Sequence, residues 1–106
     1  FNLNLLTRLN REAAAGFDLS AFRHEARWNE AESRIEMHLV ARRAQLVRIA
    51  GTSVRFAEGE SIHTENSYKH TEAGFAALAA RAGWRPAQLF TDPMRMVSIH
   101  VLQAGA

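Results

Sequence analysis

The chain has 106 residues, enough for one domain or a piece of a larger one, but too few for a core with much stability to spare. Hydrophobic residues make up 47% and charged residues 23%, and 13 basic against 11 acidic residues leave a formal charge of only +2, so no basic field calls for nucleic acid or an acidic membrane. There are no cysteines, which excludes disulfides and thiolate metal sites, and no apolar run approaches the roughly 20 residues that span a bilayer. The cysteine count fits a reducing compartment, and a cytoplasmic location is expected. The chain opens on Phe1 rather than Met, so a fragment of a longer protein is expected.

Residues 1–15 read as a helix, with Leu5, Leu6, Leu9 and Ala13 as its apolar stripe and Arg8, Arg11 and Glu12 opposite. Gly16 follows as the expected C-cap, and Asp18 as the cap of a short second helix over 19–22. Residues 24–28 read as extended, and 29–33 as a polar turn. The period then changes. Ile35, Met37 and Leu39 alternate with Glu36 and His38, which predicts a half-buried strand, although Glu, Arg, Met and Leu make helix a competitor over 31–45. Val47 and Ile49, then Val54 and Phe56 after a break at Gly51, predict further strands, read as successive antiparallel neighbours.

Residues 59–69 carry no clear period and read as a loop. Thr71 opens a helix in which Phe75, Leu78, Ala79 and Ala82 share a face; Gly83 ends it and Pro86 prevents its resumption. Strands over 88–90 and 96–102 follow, joined by an Asp92-Pro93 turn into a hairpin. The fold class is therefore α+β: antiparallel strands with flanking helices.

The densest polar stretch is Ser61-Ile62-His63-Thr64-Glu65-Asn66-Ser67-Tyr68-Lys69-His70. Glu65 and Ser67 stand two apart, so in extended backbone they point to one face. A carboxylate and a hydroxyl side by side can receive the N–H of an imidazole and hold its other nitrogen. The plainer reading is a solvated loop in which Ser67 or Thr71 caps the helix. Five histidines, His24, His38, His63, His70 and His100, fall in different predicted elements at irregular spacings, with neither an H-E-x-x-H pattern nor cysteines, so a metal site is not expected. Met37, Trp28 and Trp84 read as packing residues, and Arg42, Arg43 and Arg48 as a solvated strand edge. No glycine-rich nucleotide loop or P-loop is present, so most of any nucleotide-like cofactor site must lie elsewhere.

The phrases Phe1-Asn2-Leu3-Asn4-Leu5-Leu6, Asn10-Arg11-Glu12, Phe17-Asp18-Leu19, Trp28-Asn29-Glu30, Arg34-Ile35-Glu36-Met37, Phe56-Ala57-Glu58-Gly59-Glu60, Thr64-Glu65-Asn66-Ser67-Tyr68-Lys69 and Thr91-Asp92-Pro93 occur in this order. Together they resemble the C-terminal third of the histidine-specific, S-adenosylmethionine (SAM)-dependent N-methyltransferases of ergothioneine biosynthesis. The resemblance implies a class I methyltransferase domain paired with a substrate-binding domain, and transfer of three methyl groups to the α-amino nitrogen of histidine. By the same resemblance, residues 1–69 are the later part of the substrate-binding domain. Residues 70–106 are the terminal helix and β-hairpin of the methyltransferase fold. Glu65 and Ser67 match the residues that hold the substrate imidazole, and Met37 matches a residue lining that pocket. SAM would be bound by the part upstream of Phe1. The isolated chain is expected to be inactive and to self-associate or swap domains through unpaired sheet edges. The competing expectation is a free-standing small α+β module that binds a small ligand or RNA.

Overall fold

The structure, a computed structural model, describes residues 1–105. It divides into two compact units, Phe1–Tyr68 and a second that begins at Lys69.

The first unit opens with helix α1 (Asn4–Glu12). Of its expected stripe, Leu6 is fully buried and Leu9 packs against the core beside Leu3, whereas Leu5 is left exposed. The helix stops at Glu12, four residues before Gly16. Ala14 takes the left-handed conformation with φ 49°, and Asn10 ties down the chain that follows. The Asn10 amide donates to the Phe17 carbonyl at 2.9 Å and accepts from the Phe17 N–H at 2.8 Å, pairing both backbone groups of that coil residue. Gly16 lies in the following coil and donates its N–H to the Arg48 carbonyl. Asp18 then caps a single 3₁₀ turn, Leu19–Ala21, by accepting from the Ser20 N–H.

Strands β1 (Phe22–Asn29) and β2 (Arg34–Ala41) form a hairpin. Strands β3 (Gln45–Ile49) and β4 (Thr52–Phe56) form another, closed by Ala50 and Gly51. Both turn residues have positive φ, 49° and 84°, the sign pattern of a type I′ turn. The successive-neighbour reading fails at one point. β2 does not pair with β3; its second partner is β5 (Ser61–Tyr68), in the order β1-β2-β5. The segment read as a loop is thus a full strand. β2 lies between two partners, and its second half, residues 38–41, is buried on both faces rather than alternately. Leu6, Leu39, Phe22, Val47 and Phe56 form the core with Phe17. The rings of Phe22 and Phe56 meet edge to face at 5.3 Å. Burying each such large side chain contributes about 1.5–3 kcal/mol.

The second unit holds helix α2 (Glu72–Arg81), capped by the Thr71 hydroxyl, which accepts from the Gly74 N–H at 2.9 Å. Gly83 ends it with φ 86°. Strands β6 (Trp84–Thr91) and β7 (Ser98–Ala104) form the expected hairpin, longer in its first strand than the sequence indicates. Pro86 is absorbed into β6 beside a register shift, where a strand tolerates proline. Trp28 and Trp84, read as packing residues, are exposed at 57% and 43%. No helix among the described residues is long and apolar enough to cross a membrane.

Candidate functional site

The pairing of β2 with β5 sets the site. Ser67 stands opposite Ile35 and Glu65 opposite Met37. Residues paired across a sheet share a face, and so do residues two apart along a strand, so Met37, Glu65 and Ser67 lie on one side. The register then slips between Met37 and His38, with His38 opposite His63 rather than Thr64. Thr64 is the extra residue of a β-bulge. In an unbulged strand His63 and Glu65 would share a face. Here the bulge sends Glu65 to the Met37 side and His63 to the His38 side.

On the Met37 side the N-terminal segment crosses the sheet. Asn2 holds it there through three bonds. Its amide donates to the His38 carbonyl at 3.2 Å and lies 3.1 Å from His24 Nδ1, while its carbonyl oxygen accepts from the Thr64 hydroxyl at 2.8 Å. Thr64 also reaches the Met37 carbonyl, at 3.1 Å. The result is a cavity of about 460 Å³ lined by Phe1, Asn2, Leu3, His24, Met37 and Glu65. Its walls are mostly apolar, with Glu65 the one acidic group among the lining residues. That is the usual composition of a small-molecule site. The Glu65 carboxylate is exposed and has no hydrogen-bond or ion-pair partner among the described residues. Ser67 is half-buried, two residues along β5 on the same face and outside the cavity lining.

The other side of the sheet carries a hydrogen-bonded network. Glu36 Oε1 lies 3.0 Å from His38 Nε2, and its Oε2 accepts from Asn29 and from Arg34, each at 2.9 Å. These bonds, that to His38 foremost, hold the Glu36 carboxyl down to about 2. His38 is buried, with Nδ1 3.0 Å from the Ser61 hydroxyl, and its ring stacks on that of His63 at 4.6 Å. Histidines that the sequence scatters over separate elements are therefore neighbours in space.

The structure brings Met37 and Glu65 to one cavity and sets Ser67 on the same face. Sequence reasoning missed Asn2, His24 and Thr64. Asn2 and Thr64 are 62 positions apart, and no local pattern connects them. Among the described residues the glycines do not form a strand-to-helix turn that could cradle a nucleotide. Gly51 and Gly59 sit in turns between strands, Gly74 lies within α2, and Gly83 closes that helix.

Comparison with known proteins agrees with the ordered phrases. The sequence profile of the family described as "Histidine-specific methyltransferase, SAM-dependent" matches residues 1–104. The histidine N-alpha-methyltransferase of Mycolicibacterium smegmatis is 50% identical over 95 residues, covering 88% of this chain and 30% of that protein. The protein of the same name from Mycobacterium tuberculosis is 45% identical over 94 residues, covering 87% of this chain and 29% of its own length. The chain thus spans less than a third of the length of these relatives. Over that span, it belongs to the histidine-specific, SAM-dependent methyltransferase family.

Proposed function

We propose that this chain is the C-terminal part of an enzyme that transfers methyl groups from SAM to the α-amino nitrogen of histidine, giving trimethylhistidine. In this reading residues 1–69 are the later part of the substrate-binding domain, and residues 70–106 complete the methyltransferase domain. The observation that carries the proposal is the cavity wall shared by Met37 and Glu65, with an unpaired carboxylate at its edge. SAM supplies the methyl group when bound, and it would be bound by parts of the protein other than these residues.

The task of this chain is to position the far end of the substrate. A carboxylate only accepts hydrogen bonds, so Glu65 selects the tautomer that turns an imidazole N–H toward it. The other ring nitrogen is then left with a lone pair, which the Ser67 hydroxyl can meet as donor. Met37 fills the space beside the ring, with a thioether that adapts to its shape. The α-amino group must shed its proton before it can attack, and none of the three residues performs that step. Holding the ring fixes the distance and direction of the amine, and the catalytic gain comes from that alignment.

The experiment that tests the reading is mass spectrometry of the full-length protein incubated with SAM and histidine. A product heavier by three methyl groups, with S-adenosylhomocysteine formed alongside, is expected. Histidine recovered unchanged from a protein that demonstrably binds SAM would overturn the substrate assignment.

A further inference from the structure

The face of the sheet away from the Met37–Glu65 cavity presents a carboxylate and two imidazoles that no part of the methyl-transfer reading uses. Glu36 and His38 are two apart on β2 and share that face. The bulge at Thr64 adds His63 from the neighbouring strand, directly opposite His38. One potential ligand atom from each of the three lies within 4.8 Å of the others. Metal legs of 2.0–2.1 Å in a tetrahedral site put neighbouring ligand atoms about 3.3 Å apart. His38 Nε2 and Glu36 Oε1, at 3.0 Å, already stand at that spacing. The third ligand comes from His63, the exposed member of the group, whose Nε2 now lies 2.6 Å from Asn66 Oδ1 and whose ring must turn out of its stack on His38 and close about 1.5 Å to ligate.

The surroundings are arranged as they are around metal-binding histidines. Metal-bound imidazoles donate their second N–H to an oxygen that fixes the ring. The Ser61 hydroxyl, 3.0 Å from His38 Nδ1, is placed for that role. Glu36 divides its two oxygens: Oε2 is engaged by Asn29 and Arg34, leaving Oε1 toward His38. A cation between Oε1 and Nε2 displaces the proton these atoms share, which a neutral imidazole then carries on Nδ1, donated to the Ser61 oxygen. The Arg34 guanidinium on the far oxygen opposes an added positive charge. Hard ions that bind through charge alone are therefore disfavoured, and ions that bond strongly to imidazole are favoured.

We propose that Glu36, His38 and His63 form a binding site for one divalent transition-metal ion of the Zn²⁺ class, pinning β2 to β5 across the bulge. The site is independent of the methyl-transfer reading, since a titration reports metal binding whatever the enzyme's substrate.

The test is calorimetric titration of the chelator-treated full-length protein with Zn²⁺, repeated with Co²⁺, whose visible absorption reports its ligands. One equivalent is expected to bind per chain. His63→Ala, at an exposed position outside the core, is expected to weaken binding by roughly 10-fold or more, since even the loss of an outer partner has that effect. The same substitution should abolish the Co²⁺ spectrum of the bound form while the far-UV circular dichroism stays unchanged. His70→Ala, in the other unit, serves as the control and should bind Zn²⁺ normally. Failure to reach one equivalent, or His63→Ala binding Zn²⁺ as tightly as the unsubstituted protein, overturns the proposal.

Discussion

Glu65 is the residue on which specificity would turn. An unpaired carboxylate at a cavity edge has nothing to lose within the protein and a charge-assisted bond to gain from a ligand. Glu65→Ala should weaken histidine binding by about 1.5–3 kcal/mol, roughly 10- to 100-fold in Kd. SAM binding should be untouched. Calorimetry of the full-length variant with each ligand checks both, and an unchanged histidine affinity would remove Glu65 from the site. Met37 tests a different property, because it contributes shape and no hydrogen bond. Met37→Ala is expected to shift preference toward amino acids with bulkier rings while kcat for the preferred substrate changes little. Competition between histidine and a ring-substituted analogue measures it. Loss of both activities in parallel would mean that the substitution had damaged the fold instead.

At the scale of elements, the bulge in β5 is what the site depends on. Thr64 fills it and bonds both Asn2 and the Met37 carbonyl. Thr64→Val keeps the shape but removes the one hydroxyl proton shared between the Asn2 and Met37 oxygens, so the first residues should loosen from the sheet with a loss of about 1–2 kcal/mol. Faster amide exchange confined to residues 1–6 is the expected signature; exchange no faster than in the parent would show that the tie carries no stability. The same bulge explains what could be read in advance. Alternation along β2 was legible at Ile35, Met37 and Leu39 because the strand has no irregularity of its own. In β5 the inward positions are Ile62, then Glu65 and Ser67, so the phase breaks after 62 and the segment reads as aperiodic. The pair Glu65 and Ser67 was legible because both lie beyond the break. The Glu36–His38–His63 group was not, since it exists only through a strand pairing that joins positions more than 20 apart. In the β6–β7 hairpin, the Asp92 carboxylate accepts from the Val97 N–H at 2.9 Å, and this bond foremost lowers its pKa below the ordinary 3.8. A lowered carboxyl adds stability that is complete above its unfolded value and lost as pH falls through the folded one. The Val97 amide resonance should therefore titrate with a midpoint below 3.8, and the turn should weaken through that range. A midpoint at or above 3.8 would count against the bond.

At the scale of the whole chain, the two units differ in how well they cover themselves. The first has a contiguous core; the second leaves Phe90, Ile99, Val97, Met94 and Met96 between 50% and 79% exposed. Apolar side chains exposed on a two-stranded hairpin are a surface that other protein covers. In the reading proposed above, that cover is the remainder of the methyltransferase sheet. The 106-residue chain made by itself should accordingly self-associate. Light scattering after size exclusion at rising concentration measures this, and a strictly monomeric profile would contradict it. Fold class was accessible from the sequence because the helix and strand periods differ. Which strands paired across long separations was not, because register is decided by contacts that no local window contains.

The bond between Asn2 and Thr64 has a kinetic side as well. Its partners lie 62 positions apart, so closing it costs more chain entropy than closing either hairpin. The β1–β2 and β3–β4 hairpins need only local closure and can form early. The cavity is therefore expected to form after them. In a refolding experiment, strand signal should appear before the capacity to bind ligand, and a chain emerging from the ribosome has no pocket until β5 is free to pair.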